Sequence, residues 1–144
     1  MAKSAIEQLF QRNLKAFQQQ NMADIRACYQ LPCMLHTPDK VVLIDSDTVF
    51  EREFLEIFTV LSHAKVKRFN VLKASFSELS EKLILVCVDW QLIGTNEEVF
   101  TDFSAFYHLV LDTDGWKIFN VVSQELSQSV SLSVPFNISE WVSE

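Results

Sequence analysis

Glycine is scarce in this chain. Only Gly94 and Gly115 occur among 144 residues, so every glycine-rich phosphate loop is excluded by composition. Positive charge is also short: Lys and Arg total 12 against 19 Asp and Glu, a net charge of -7. The densest basic run is Lys65-x-Lys67-Arg68, too little to hold nucleic acid or an anionic membrane surface. The three cysteines, Cys28, Cys33 and Cys87, are odd in number, form no Cys-x-x-Cys pair and sit among apolar neighbours. They are expected to be small buried hydrophobes of a protein in the reducing cytoplasm. No nucleophile-elbow pattern is present, and a basic residue lies close in sequence only at Arg26, so a cysteine nucleophile is not indicated. His36, His63 and His108 are far apart, and no His, Cys or Glu pair has ligand spacing on one element, so neither a metal nor another cofactor is expected. No apolar run approaches about 18 residues, which argues against a membrane span, and no signal peptide is recognisable.

What the chain does have is apolar content, 49% of its residues, enough for one domain with a substantial core. The centre of the pattern is Phe103 to Val122. Two runs, Phe103 to Leu111 and Trp116 to Val122, flank Asp112-Thr113-Asp114-Gly115, and Asp-Gly between such runs marks a β-hairpin. Both runs are apolar at nearly every position, whereas a sheet wetted on one side would alternate. Both faces must therefore be covered, one by helices and the other by more of this chain or by a second subunit.

The N-terminal half supplies the helices. Ser4-Ala5-Ile6-Glu7 is a capping box, and Ile6, Leu9, Phe10, Leu14 and Phe17 continue from it at helical spacing to about residue 20. Asn21 can cap a short second helix carrying Met22, Ile25 and Tyr29, which ends before Pro32. Cys33 to Thr37 and Val41 to Ile44 then form a short hairpin around Pro38-Asp39-Lys40. A second capping box, Thr48-Val49-Phe50-Glu51, opens a helix with the stripe Phe50, Phe54, Ile57, Phe58 and Leu61. Strands are predicted over about Lys65 to Phe76, Lys82 to Ile93, Val99 to Leu111 and Trp116 to Glu125, an antiparallel meander. In the tail, Val130, Leu132, Val134, Phe136 and Ile138 alternate with Ser131, Ser133, Pro135 and Asn137. This is a strand pattern whose proline suits a sheet edge. Residues 1–126 are thus one cone-shaped domain, and 127–144 form a C-terminal arm that packs on its own sheet or on a partner.

The expected class is α+β: a strongly curved antiparallel sheet wrapped on three N-terminal helices. This order resembles the nuclear-transport-factor-2-like superfamily, whose fold is also called cystatin-like and which includes ketosteroid isomerase and polyketide cyclases. The resemblance covers about residues 4 to 126. It rests on the first helix through Phe17, the Tyr29-x-Leu31-Pro32 junction, the third helix and Asp114-Gly115-Trp116-Lys117-Ile118. It implies a cavity between the concave sheet face and helices one and three. For the isomerases it implies a carboxylate base near the first hairpin and an oxyanion donor deep in the sheet. Where such enzymes carry Asp-Asp-Ala-x-x-x-Asp, this chain has Gln30-Leu31-Pro32-Cys33-Met34-Leu35-His36, and His36 is the residue there able to replace the base.

Strand parity offers the remaining candidates. With Leu111 and Trp116 flanking the turn, Trp116, Ile118, Asn120 and Val122 share a face with Leu111, Leu109, Tyr107 and Ala105. That face is expected to line the cavity, with Tyr107 and Asn120 as a cross-strand pair donating to a ligand carbonyl and Trp116 and Leu109 as apolar walls. The same two residues could equally form a satisfied hydrogen bond in the core. Asp89 stands inside the apolar run Leu83 to Trp90, as a perturbed acid or as a carboxylate paired with a lysine or backbone amide. Two functions follow. One is binding of a small apolar or amphipathic molecule by a homodimer joined through the outer sheet face, with Phe106, Phe119 and Val121 near the contact. The other is a cofactor-free isomerase or dehydratase using Tyr107 with His36 or Asp89.

Overall fold

The computed structural model describes residues 2–139. The end of the arm, 140–144, lies outside the described residues. Helix α1 (Ala2–Gln19) begins before Ser4, so that serine lies within the helix, while Ile6, Leu9, Phe10 and Leu14 are buried as their spacing requires. Helix α2 (Met22–Ala27) is capped by Asn21, whose side chain accepts from the Asp24 backbone N–H at 3.1 Å. Strand β1 (Tyr29–His36) follows at once and contains Pro32; β2 (Val41–Ile44) pairs with it antiparallel. Helix α3 (Asp47–His63) is capped by Ser46, two residues before the expected Thr48, with the Ser46 hydroxyl accepting from Val49 N–H at 3.2 Å. Phe50, Phe54, Phe58 and Leu61 form its buried face.

Strands β3 (Arg68–Ser80), β4 (Leu83–Ile93), β5 (Val99–Asp112) and β6 (Gly115–Gln124) make the antiparallel meander. Gly115, at φ +112°, takes the turn position that a side chain would strain. One further strand, β7 (Val134–Pro135), completes a seven-stranded sheet of order β2-β1-β6-β5-β4-β3-β7. The sheet curls around the helices without closing, and β1 runs parallel to β6. That pairing joins strands about eighty residues apart in the chain, beyond the reach of local pattern.

The arm packs on its own chain. Past β6 it crosses the outer face of β4 and β3: Ser129 Oγ donates to Asp89 Oδ2 at 2.7 Å, and Lys73 Nζ donates to Ser131 Oγ at 3.2 Å. The backbone N–H groups of Leu132 and Ser133 then donate to Ser75 Oγ and Ser77 Oγ. After pairing with the β3 edge, the chain turns inward, and the buried Phe136 ring sits 5.8 Å from Phe10 and 5.9 Å from Phe76. Proline is tolerated at position 135 because an edge strand leaves one side without ladder bonds.

Candidate functional site

Between helices and sheet lies a cavity of about 180 Å³. Helix α1 contributes Asn13, Leu14 and Phe17 to its wall, and α3 contributes Phe54, Ile57 and Leu61. The sheet supplies Tyr29 and Leu35, then Phe69, Trp90, Leu92 and Phe103, then Tyr107, Val121 and Ser123; His36 and Thr37 also border it. The wall is mostly rings because α3 and the concave face of a curled sheet both present their aromatic stripes inward. A second groove, between α3 and the β1–β2 hairpin, shares Leu35, Thr37, Ile57 and Leu61 with the first.

Four polar side chains interrupt this apolar wall. Trp90 Nε1 donates to Tyr107 Oη at 2.9 Å, a buried bond between β4 and β5. Burial pushes the Tyr107 phenol far above its ordinary range, with Trp90 offsetting part of that shift. Tyr29 is raised in the same way, first by burial and then by the nearby Tyr107, while the adjacent Asn13 favours its anion slightly. Both tyrosines are therefore neutral hydrogen-bonding groups rather than bases. Asn13 is buried to 2% exposure, and its Nδ2 has no hydrogen-bond partner among the described residues.

Of the residues expected from sequence, Tyr107 lines the cavity and His36 borders it. Asn120 is not the neighbour of Tyr107. A bulge at Phe119 makes Leu109 pair with Ile118 but His108 with Asn120 and Tyr107 with Val121, so parity reverses along β6. Asn120 Nδ2 instead meets His108 Nδ1 at 3.1 Å on the outer face, and Val121, expected outside, lines the cavity. Leu109 is wholly buried in the core, and Trp116 is half-buried beside the hairpin turn; neither is among the residues lining the cavity.

Asp89 is buried on the opposite sheet face from Trp90, as strand alternation requires. There it accepts from Ser104 Oγ at 2.8 Å and from Ser129 Oγ, with Lys73 Nζ at 3.9 Å. It is thus an anchor for the arm, on the wrong side of the sheet to act with Tyr107. Asn13, Tyr29 and Trp90 were missed as site residues. Asn13 carried a legible signal, since it is the polar member of the stripe Ile6, Leu9, Phe10, Leu14, Phe17. Among the described residues no cluster of His, Cys, Asp and Glu could hold a metal ion, and no helix is long and apolar enough to cross a membrane.

A curled open sheet wrapped on three helices, with a cavity between them, defines the cystatin-like, NTF2-like class of folds. Residues 3–126 match the family described as NTF2-like protein (DUF6841), and the chain belongs to that family. Solved structures agree on the fold. An NTF2-like protein of unknown function from Pseudomonas putida is 12% identical, with a TM-score of 0.70 over 96% of each chain. An NTF2-like protein of unknown function from Shewanella oneidensis is 14% identical, with a TM-score of 0.69 over 85% of this chain and 98% of its own. A candidate ketosteroid isomerase from Shewanella frigidimarina is 14% identical, with a TM-score of 0.64 over 81% of this chain and 92% of its own. No curated protein matches the sequence.

Proposed function

We propose that this protein is a binding module for a small, largely apolar molecule, working as a homodimer joined through its outer sheet face. The observation that carries the binding half is the composition of the cavity: about 180 Å³ walled by rings and aliphatic groups, with Asn13 and the Trp90–Tyr107 bond as its buried polar features. Such a site orients a ligand through a few polar contacts and holds it by burial. The dimer half is supported by Phe106, Val110 and Val122, which are only half-buried on β5 and β6 where the arm does not reach. Monomers seldom leave apolar patches beyond about a few hundred Å² uncovered.

An isomerase or dehydratase needs a positioned base. Asp89 faces away from the cavity, and the tyrosines are held neutral, which leaves His36 at the border as the candidate base. The binding reading is tested by native mass spectrometry of the freshly purified protein, followed by organic extraction. A co-purifying small molecule that raises the melting temperature when restored supports it. A protein that carries nothing and is stabilised by no member of an apolar fragment set overturns it.

A further inference from the structure

We infer that the cavity takes an uncharged molecule of single-ring size carrying one hydrogen-bond acceptor, and that Asn13 Nδ2 receives that acceptor. The inference rests on the binding reading above and adds the chemical class of the ligand.

Asn13 is the starting point. Its amide is almost wholly buried, borders the cavity and has no partner for Nδ2 among the described residues. A buried donor left unpaired is costly, and folded proteins leave few of them. Helix packing does not require an amide there, because the flanking Phe10, Leu14 and Phe17 already supply the apolar contact of α1. A second donor stands in the same wall. Tyr107 Oη already accepts from Trp90 Nε1–H, so its own proton remains to be given away. Two donors on one cavity call for an acceptor on the ligand.

Charge and size narrow the class further. No Lys, Arg, Asp or Glu lines the cavity, and both phenols stay protonated because burial disfavours their anions. A carboxylate or ammonium ligand would enter without a counter-charge, which burial penalises heavily. A dry cavity of about 150 Å³ accepts benzene, so about 180 Å³ suits one ring with a short substituent. The ring walls offered by Phe17, Phe54, Phe69 and Phe103 favour edge and offset contacts with such a ring. An aryl ketone is the simplest molecule of this kind.

Isothermal titration with acetophenone, ethylbenzene and benzoate tests the assignment, since the three share a ring and differ in acceptor and charge. Acetophenone is expected to bind wild type roughly fivefold to tenfold tighter than ethylbenzene, the usual effect of one satisfied hydrogen bond, and benzoate weakest. Asn13→Leu should bring the ketone down to the level of ethylbenzene while ethylbenzene still binds; Asn13→Ala serves if the leucine variant does not fold. Equal binding of ketone and hydrocarbon by wild type overturns the acceptor assignment and leaves the binding reading standing. So does a ketone preference that persists in the Asn13 variants, or benzoate binding tightest. Binding of none of the three overturns both.

Discussion

Trp90 Nε1 and Tyr107 Oη, 2.9 Å apart on neighbouring strands, tie the middle of the sheet to the cavity wall. The bond is diagonal: Tyr107 pairs across the ladder with Val86, and Trp90 with Phe103. Removing the hydroxyl by Tyr107→Phe keeps the ring but strands the buried indole N–H. A loss of about 1 to 3 kcal/mol is expected, read as a melting temperature lower by several degrees in the absence of any ligand. Combining it with Trp90→Phe should cost less than the sum of the two single changes, because each removes the partner of the other. Melting unchanged by Tyr107→Phe would mean that the bond contributes nothing to stability.

Cys28 and Cys33 are both pushed up to about 11, chiefly by burial. The reactive thiolate is then about one part in a thousand at pH 8, against roughly a quarter for an ordinary thiol. Native protein at pH 8 should label at these two positions far more slowly than unfolded protein, as peptide mapping after a timed pulse of iodoacetamide would report. Labelling at the unfolded rate would place both thiols in contact with solvent.

Phe103 to Val122 shows where legibility ends. The hairpin, its Asp-Gly turn and its apolar faces were plain in the sequence, because turn chemistry and strand period are local. The bulge at Phe119 was not, since a single extra residue leaves the apolar pattern looking continuous while reversing every side chain beyond it. Thus Tyr107 was found and its partner was misassigned. The β1–β6 pairing and the inward turn of Phe136 depend on contacts between distant segments, which no local period encodes. Asp89 stood out correctly as a charge in an apolar strand; the serine of the arm that meets it lies forty residues further on.

The arm should act as one clasp with two unequal anchors. Phe136→Ala empties a buried position between Phe10 and Phe76 and is expected to cost about 3 to 5 kcal/mol. Ser129→Ala removes a single hydrogen bond to the Asp89 carboxylate, worth about 1.5 to 3 kcal/mol. Hydrogen exchange separates the two: Ser129→Ala should raise exchange at Leu132 and Ser133, whose N–H groups bond Ser75 and Ser77, more than in the core of β5. Exchange unchanged at those amides would mean that Phe136 alone holds the arm.

His108 links the outer face to pH. Burial lowers its pKa from the ordinary 6.5, and its Nδ1 lies 3.1 Å from Asn120 Nδ2 in a bond that requires an unprotonated nitrogen to accept. The sign follows from linkage: as pH falls below 6.5, the unfolded chain binds the proton before the folded one does, so stability present above 6.5 is lost on acidification until the lower folded value is passed. A slope between pH 6.5 and 5 should therefore be shallower in His108→Gln than in wild type, measured by urea midpoints. If the outer face is the homodimer contact, the same proton would place a charge beside Phe106 and Val122, and dissociation should set in over the same range. Sedimentation is expected to show twice 16.6 kDa at pH 7.5, with movement toward the monomer at pH 5 and for Phe106→Glu at either pH. A species of 16.6 kDa at neutral pH and tens of micromolar protein would sink the dimer, whereas the urea slope of His108→Gln tests the buried imidazole independently of it.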